Sequence, residues 1–190
     1  MTRFAIDRNK SGLIVVDVQE KLYPKIDRYE ELFQSLYKVI CGCRVLGLPI
    51  VVSEQYPKGL GETLSQLIQL VGEEAIKLTK TTFSALGDEE CRQQLLSLPV
   101  EQWVVVGIEA HVCVLQTARD LIQEGKEVVV INDAVGSRSI YDFSSAIAEC
   151  RDMGARVSST ETLLFELLRD SKAPEFKEIS KLVQCAQCSC

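Results

Sequence analysis

Trp103-Val104-Val105-Val106-Gly107-Ile108-Glu109-Ala110-His111-Val112-Cys113-Val114-Leu115-Gln116-Thr117-Ala118 holds a strand, a break and a helix start in one run. Its apolar, largely β-branched opening reads as a buried strand from Trp103 to Gly107. The glycine ends it, and a short turn delivers Cys113 into the first turn of a helix over Val112 to Glu124. A thiol there faces the positive end of the helix dipole and unpaired backbone N–H groups, both of which favour thiolate over thiol. The carboxyl end of a central strand is also where open sheets bind ligands. Two readings of Cys113 stand side by side: a nucleophile, or a small hydrophobe buried at a strand–helix junction.

The same alternation continues along the chain. Strands are read at Gly12 to Val18, Ile50 to Ser53, Ala75 to Leu78, Val128 to Asn132 and Arg156 to Ser159. Helical periods cover Tyr29 to Leu46, Glu62 to Val71, Asp88 to Ser97, Ser139 to Met153, Thr160 to Leu168 and Pro174 to Val183. Strands that are apolar throughout, rather than at every second residue, are buried on both faces. Strand–helix alternation then predicts a parallel sheet with helices on each side. Gly47 with Pro49, Gly125 and Gly154 punctuate the helix ends. One domain over 1–190 is expected, with its core at about 12–168 and a C-terminal helix and cysteine-rich tail at 174–190.

Composition narrows the class. The 190 residues are 46% hydrophobic with a formal charge of −6, and no basic stripe suggests nucleic acid. Apolar runs such as Leu13 to Val16 are too short to cross a bilayer. Charge appears within the first residues, before any export-signal core can form, so a cytoplasmic location is expected. Under that expectation the eight cysteines are reduced thiols. Cys41, Cys43, Cys91 and Cys150 fall in helices, where they pack. Cys185, Cys188 and Cys190 have a spacing that can grip a soft metal, but a closed zinc site needs a fourth ligand. The only histidine, His111, lies far away in sequence. The tail therefore reads as solvated and oxidation-prone, with no metal.

A parallel sheet points every carboxyl strand end at one edge. Asp17 closes the first apolar run there, poorly solvated and placed for proton transfer or, structurally, for a helix cap. Lys80 follows the third strand; lysine is more often a solvated face residue, but here it shares the edge with Asp17 and Cys113. Together they make a consistent site: the ammonium favours a thiolate, and the carboxylate takes its proton and later returns it to a leaving group. A thiolate beside an amide or ester carbonyl suggests acyl transfer, with oxyanion donors among the backbone N–H groups before Cys113. A Cys113–His111 dyad is the rival, and His111 lacks an evident orienting partner.

These residues carry a resemblance. Asp17 with Gln19, Lys80 with Phe83-Ser84, and Gly107-Ile108 spaced before Cys113-Val114 and Thr117-Ala118 resemble the isochorismatase-like cysteine hydrolase superfamily. So do Asn132-Asp133-Ala134-Val135-Gly136-Ser137-Arg138 and Ser159-Thr160-Glu161, in the family's order from about Gly12 to Leu168. Within it the chain is most similar to uncharacterised isochorismatase-domain hydrolases, which share a segment like Glu54-Gln55-Tyr56-Pro57-Lys58-Gly59-Leu60-Gly61 and an ending like Phe176-Lys177-Glu178-Ile179. The resemblance implies a Rossmann-like three-layer α/β/α sandwich on a six-stranded parallel sheet, with a pocket at the carboxyl edge. It assigns Cys113 as nucleophile, Asp17 as general base and acid, and Lys80 as the group that lowers the thiol pKa. It also implies a cis peptide at Ile108-Glu109 that aims the Glu109 and Cys113 N–H groups at an oxyanion, and a homo-oligomer.

Departures from the family refine this. Nicotinamidases hold a metal through an aspartate and histidines after the second strand; here that place reads Ser53-Glu54-Gln55-Tyr56-Pro57-Lys58, without histidine. Enzymes that cleave the vinyl ether of isochorismate commonly lack the cysteine. The leading expectation is a cofactor-free cysteine hydrolase that opens a C–N bond of a small amide or related acyl compound through a Cys113 thioester. Tyr56, Phe83 and Leu22 are expected to wall the pocket, and Gln19 to orient substrate or Asp17. The alternatives are a small-molecule-binding or thiol-sensing protein on a hydrolase scaffold, and an isochorismate-type hydrolase.

Overall fold

The computed structural model describes residues 4–185. Cys188 and Cys190, and with them the tail reading, lie outside the described residues. The strands are β1 (Ser11–Val16), β2 (Ile50–Gln55), β3 (Ile76–Lys80), β4 (Gln102–Ile108), β5 (Glu127–Gly136) and β6 (Arg156–Ser158). Between and after them run α1 (Tyr29–Val45), α2 (Pro57–Leu60), α3 (Ser65–Val71), α4 (Glu89–Ser97), α5 (Leu115–Gln123), α6 (Ile140–Asp152), α7 (Thr160–Leu168) and α8 (Phe176–Gln184). The six strands pair in the order β3-β2-β1-β4-β5-β6, and every pairing is parallel. The sequence order reverses between β1 and β4. That reversal leaves a crevice at their carboxyl ends.

Residue alternation along the central strands builds two cores. Leu13 and Val15 of β1 and Val104, Val106 and Ile108 of β4 face one layer, filled by Leu32, Leu36, Val39 and Ile40 of α1, Leu67 of α3, Leu163 and Leu164 of α7 and Ile179 of α8. Ile14, Val16, Trp103 and Val105 face the other, against Cys91 and Leu95 of α4, Ala118 and Leu121 of α5, and Ala146, Ile147 and Cys150 of α6. Each Val, Leu or Ile side chain among them contributes about 1.5–3 kcal/mol on burial. The helix spacing follows from this demand: positions 32, 36, 39, 40 and 43 put one stripe of α1 on the sheet.

Several boundaries differ from the sequence reading for identifiable reasons. Strand β2 continues through Ser53, Glu54 and Gln55, all buried although polar. Strand β3 likewise runs on to Lys80. The polar pair Asn132-Asp133 does not end β5 but lies in an irregularity, where the register to β4 shifts between Val105 and Gly107. There Asp133 Oδ1 accepts the Thr160 N–H at 2.9 Å, at the start of α7. The helix expected to begin at Val112 starts instead as a wide π-type turn, Ala110–Val114, which leads into α5.

Candidate active site

The crevice between β1 and β4 is closed by Gly107, at φ 117°. A Cβ there would stand 2.1 Å from the Val16 carbonyl oxygen. Only glycine lets the two strands come this close one residue before Asp17. Asp17 leaves β1 in the left-handed region at φ 52°, a conformation that non-glycine residues hold only where surroundings enforce it. Its backbone N–H donates to the Ser53 carbonyl at 3.1 Å.

The Asp17 carboxylate is wholly buried and fully met. Oδ1 accepts the Ser53 hydroxyl at 2.7 Å, and Oδ2 accepts Lys80 Nζ at 2.6 Å. Neither side chain of that ion pair has any exposure. Lys80 Nζ also donates to Gln55 Oε1 at 2.9 Å and to the Phe83 carbonyl at 3.0 Å, with the Thr82 carbonyl at 3.3 Å. Thr117 Oγ1 of α5 accepts the Ala85 N–H at 3.0 Å, tying the lysine's loop to the helix that follows the cysteine. Buried charges persist when paired and hydrogen-bonded in this way.

Cys113 sits in the π-type turn, 6% exposed. The Glu109 carbonyl accepts the Val112 N–H at 3.0 Å and the Val114 N–H at 3.2 Å, which fixes the loop that carries the thiol. The Ile108–Glu109 peptide bond is cis. Burial raises the Cys113 pKa, and the negative charge and hydrogen bond of Asp17 push it further up; Lys80 acts in the lowering direction. The lowering by Lys80 is in the direction expected of that residue. Burial and Asp17 act against the lysine, and the net direction is upward.

The remaining expected site residues take varied places. Gln19 is wholly buried: its Nε2 donates to the Gln55 carbonyl at 3.0 Å and the Gly61 carbonyl at 2.6 Å, and its Oε1 accepts the Gln55 N–H at 2.8 Å. It braces the end of β2. Leu22 is partly buried and packs on the α1-side core. Tyr56 and Phe83 are 53% and 54% exposed. The Tyr56 N–H donates to the Lys80 carbonyl at 2.8 Å, and its ring lies over Gly59, where a Cβ would stand 2.3 Å from it. Both aromatics therefore flank the lysine from the solvent side. At the end of β2, the Ser53 hydroxyl donates to Asp17, while Glu54 Oε1 accepts the Thr63 N–H and hydroxyl, each at 2.8 Å, and pairs with Lys77 Nζ at 3.0 Å.

His111 does have an orienting partner, contrary to the sequence reading: its Nδ1 lies 3.0 Å from Ser137 Oγ. The same nitrogen is 3.8 Å from Glu109 Oε2, and Nε2 is 4.0 Å from Asp142 Oδ2. Glu109 Oε1 pairs with Arg138 Nε at 2.8 Å, and Glu109 Oε2 accepts the Arg138 backbone N–H at 3.4 Å. Sequence reasoning missed Ser53, Gln55, Ser137 and Arg138; their common signal is polarity at the carboxyl end of an otherwise apolar strand. A cavity of about 190 Å³ at the end of β5 is lined by Asp27, Arg28, Leu32, Asp133, Ser137 and Phe143 among others, and by none of Asp17, Lys80 and Cys113.

Comparison with known proteins places this geometry. The isochorismatase domain family model matches residues 11–162. The zebrafish (Danio rerio) isochorismatase domain-containing protein 2 is 40% identical over 175 residues, covering 91% of this chain and 86% of that protein. A solved structure of the MAR1 ribonuclease of Caenorhabditis elegans has a TM-score of 0.90 at 36% identity, covering 98% of this chain and 95% of that one. The Escherichia coli YcaC product, an octameric hydrolase of unknown specificity, has a TM-score of 0.90 at 20% identity, covering 96% and 90%. At that identity the last likeness concerns the fold alone.

Proposed function

Because the chain belongs to the isochorismatase family of hydrolases, we propose that it is a cysteine hydrolase that opens a C–N bond of a small amide or related acyl compound. One observation carries the reading. The thiol shares the switch point of the sheet with a carboxylate paired to a lysine, all three buried, and its pKa responds to both charges.

The chemistry follows from the proton's position. As Cys113 Sγ attacks the substrate carbonyl carbon, its proton passes to the Asp17 carboxylate, and the carbonyl π pair moves onto oxygen. The Glu109 and Cys113 N–H groups are the proposed donors to that oxyanion. Collapse expels the amine, which takes the proton from Asp17, and leaves a thioester. Water then gives a proton to Asp17 and its oxygen to the acyl carbon. The second collapse returns the proton to sulfur and releases the carboxylic acid. Lys80 holds the Asp17 carboxylate in place and offsets its charge next to the developing thiolate. Tyr56 and Phe83 wall the entrance. The machinery as proposed needs no cofactor.

Competing readings find less support. A thiol sensor works through an accessible, low-pKa thiolate, whereas this thiol is buried and raised. The nematode relative is named a ribonuclease; the formal charge of −6 does not favour the phosphate contacts on which nucleic-acid binding rests. The proposal includes a cytoplasmic setting, where reduced thiols such as Cys43, Cys91, Cys113 and Cys150 persist. It also includes a homo-oligomer. Tyr29, Tyr56, Phe83, Ile140 and Tyr141, all exposed, follow the carboxyl ends of β1, β2, β3 and β5 and form an apolar rim.

The test is ammonia release from a panel of small primary amides, with quench-flow mass spectrometry of the protein. The expected results are an acyl adduct on Cys113 and loss of turnover in Cys113→Ala. Turnover that survives Cys113→Ala would point to the thiol-independent chemistry of vinyl-ether cleavage.

A further inference from the structure

Serine is an unexpected residue inside β2. The strand reads Ile50-Val51-Val52-Ser53-Glu54-Gln55 and is buried throughout. Such a strand favours β-branched residues, and a buried hydroxyl is costly unless it is hydrogen-bonded. Ser53 is wholly buried, and its hydroxyl donates to Asp17 Oδ1 at 2.7 Å. The Ser53 carbonyl meanwhile accepts the Asp17 N–H at 3.1 Å. The register explains both bonds: Ser53 pairs with Val16, the last residue of β1. One residue of β2 thus holds Asp17 by its main chain and by its carboxylate, where the Asp17 backbone turns to φ 52°.

The two carboxylate oxygens are not equivalent. Oδ2 meets Lys80 Nζ at 2.6 Å. That ammonium has three protons and also donates to Gln55 Oε1 at 2.9 Å and to the Phe83 carbonyl at 3.0 Å. Its donors are committed, and it can accept nothing. A hydroxyl is both donor and acceptor. It can donate to Oδ1 while the carboxylate is charged and accept from it once protonated, so Oδ1 gains a proton without losing its partner. The charged groups that act on the Cys113 thiol are Asp17, Lys80 and Glu109. We propose that Ser53 is a positioning residue that makes Asp17 Oδ1 the oxygen to which the thiol proton passes. This rests on the cysteine-hydrolase reading and adds to it a residue that acts through Asp17. While the carboxylate is charged, the same hydrogen bond offsets part of the negative charge that Asp17 presents to the sulfur.

Ser53→Ala and Ser53→Thr separate this role from a structural one. With small primary amides, quench-flow acylation of Cys113 in Ser53→Ala should be slower by about tenfold or more. KM should change by less than about twofold, since the lost interaction serves the reacting state. Ser53→Thr keeps the hydroxyl and should restore most of the rate. Alkylation of Cys113 by iodoacetamide is a second readout that needs no substrate. Without the Ser53 donor the full Asp17 charge opposes the thiolate, so the rate at fixed pH should fall by about twofold or more. A loosened fold acts the other way, because a better-exposed thiol alkylates faster. Melting curves check each variant; where Ser53→Thr melts early, the direction of the alkylation change in Ser53→Ala decides alone. Faster or unchanged alkylation in Ser53→Ala overturns the proposal, and so does undiminished acylation. If alkylation slows but no amide acylates even the wild type, amide hydrolysis fails while the action of Ser53 on Asp17 stands. Amide turnover that needs Cys113 but not Ser53 does the reverse.

Discussion

Lys80 Nζ stands 2.6 Å from Asp17 Oδ2 with both side chains wholly buried, so each charge depends on the other. Removing one partner from such a pair leaves an uncompensated charge and destabilises by about 3–5 kcal/mol. Lys80→Met is therefore expected to lower the urea midpoint by that equivalent. Asp17→Asn combined with Lys80→Met should recover a substantial part, since neither charge is then stranded. Both variants lose turnover. A single variant that unfolds within about 1 kcal/mol of wild type would show that water or rearrangement relieves the stranded charge.

The thiol's environment leads to a prediction of opposite signs. Burial and the Asp17 charge push the Cys113 pKa up, so alkylation of the free enzyme by iodoacetamide should be slow at pH 8 and climb steadily with alkali. Asp17→Asn removes a negative charge and leaves Lys80 acting on the sulfur, which favours the thiolate. The variant should alkylate faster at Cys113 while hydrolysing nothing. Peptide mass spectrometry resolves this thiol from the others. Slower alkylation in Asp17→Asn would mean that the carboxylate already takes the proton in the resting enzyme.

Other buried thiols set the alkaline limit of the fold. Burial pushes Cys43 up to about 12, and Cys91 and Cys150 up to about 11. The folded state thus keeps protons that the unfolded chain releases near the ordinary thiol value of about 8.5. Each of these groups contributes stability that is intact below that value and is lost as pH rises through the folded pKa. The loss is about 1.4 kcal/mol per pH unit per thiol above the unfolded value. Urea unfolding at pH 8, 9 and 10 should show the decline, and Cys43→Ala should flatten it by one thiol's share. The slope isolates titration from the cavity that the substitution leaves. An unchanged slope would remove Cys43 from the account.

How far these features were legible follows from the kind of signal each leaves. The central strands are apolar on both faces, as burial between two helix layers demands, so β1, β4 and most of β5 stand out. Asp17, Lys80 and Cys113 were recoverable because a parallel sheet sends all its carboxyl ends to one edge. The supports were not. Ser53, Gln55 and Gln19 are polar residues that look like loop, and their burial follows only from partners distant in sequence. The opposing influences on the thiol were not legible for a related reason: a local view sees a helix start, whereas burial and a carboxylate from another strand also act on the sulfur.

The apolar rim gives a prediction about assembly. Tyr141 is 82% exposed at the start of α6, with Ile140 at 54% beside it. Large apolar groups gathered at one edge mark a surface that a partner covers, and the proposed partner is a second copy. Light scattering after gel filtration should give a multiple of the 21.2 kDa chain mass. Tyr141→Glu should shift the population towards that mass without lowering the helix content seen by circular dichroism. A wild type that runs at 21.2 kDa across the micromolar range would remove the homo-oligomer from the proposal.

Gly107 offers the sharpest test of how the backbone builds the site. Its φ of 117° is one that residues with a Cβ rarely hold, and an added Cβ would stand 2.1 Å from the Val16 carbonyl oxygen and 2.6 Å from the Val16 nitrogen. These are backbone atoms of a central strand, so no side-chain rotation relieves the clash. In Gly107→Ala, β1 and β4 must separate at the point where Asp17 leaves one strand and the Glu109 turn leaves the other. We expect a loss of about 3 kcal/mol or more, from strain at a special backbone conformation added to the overlap. Any folded fraction should show impaired acylation of Cys113, because the thiol and its proton acceptor sit on opposite sides of the opened crevice. Gly125→Ala is the control: it too has a positive φ, 75°, but nothing lies within 4 Å of the added Cβ. That variant should fall by about 1 kcal/mol and keep its acylation rate. Equal effects of the two substitutions would show that conformation alone matters at Gly107 and that the close approach of β1 and β4 does not.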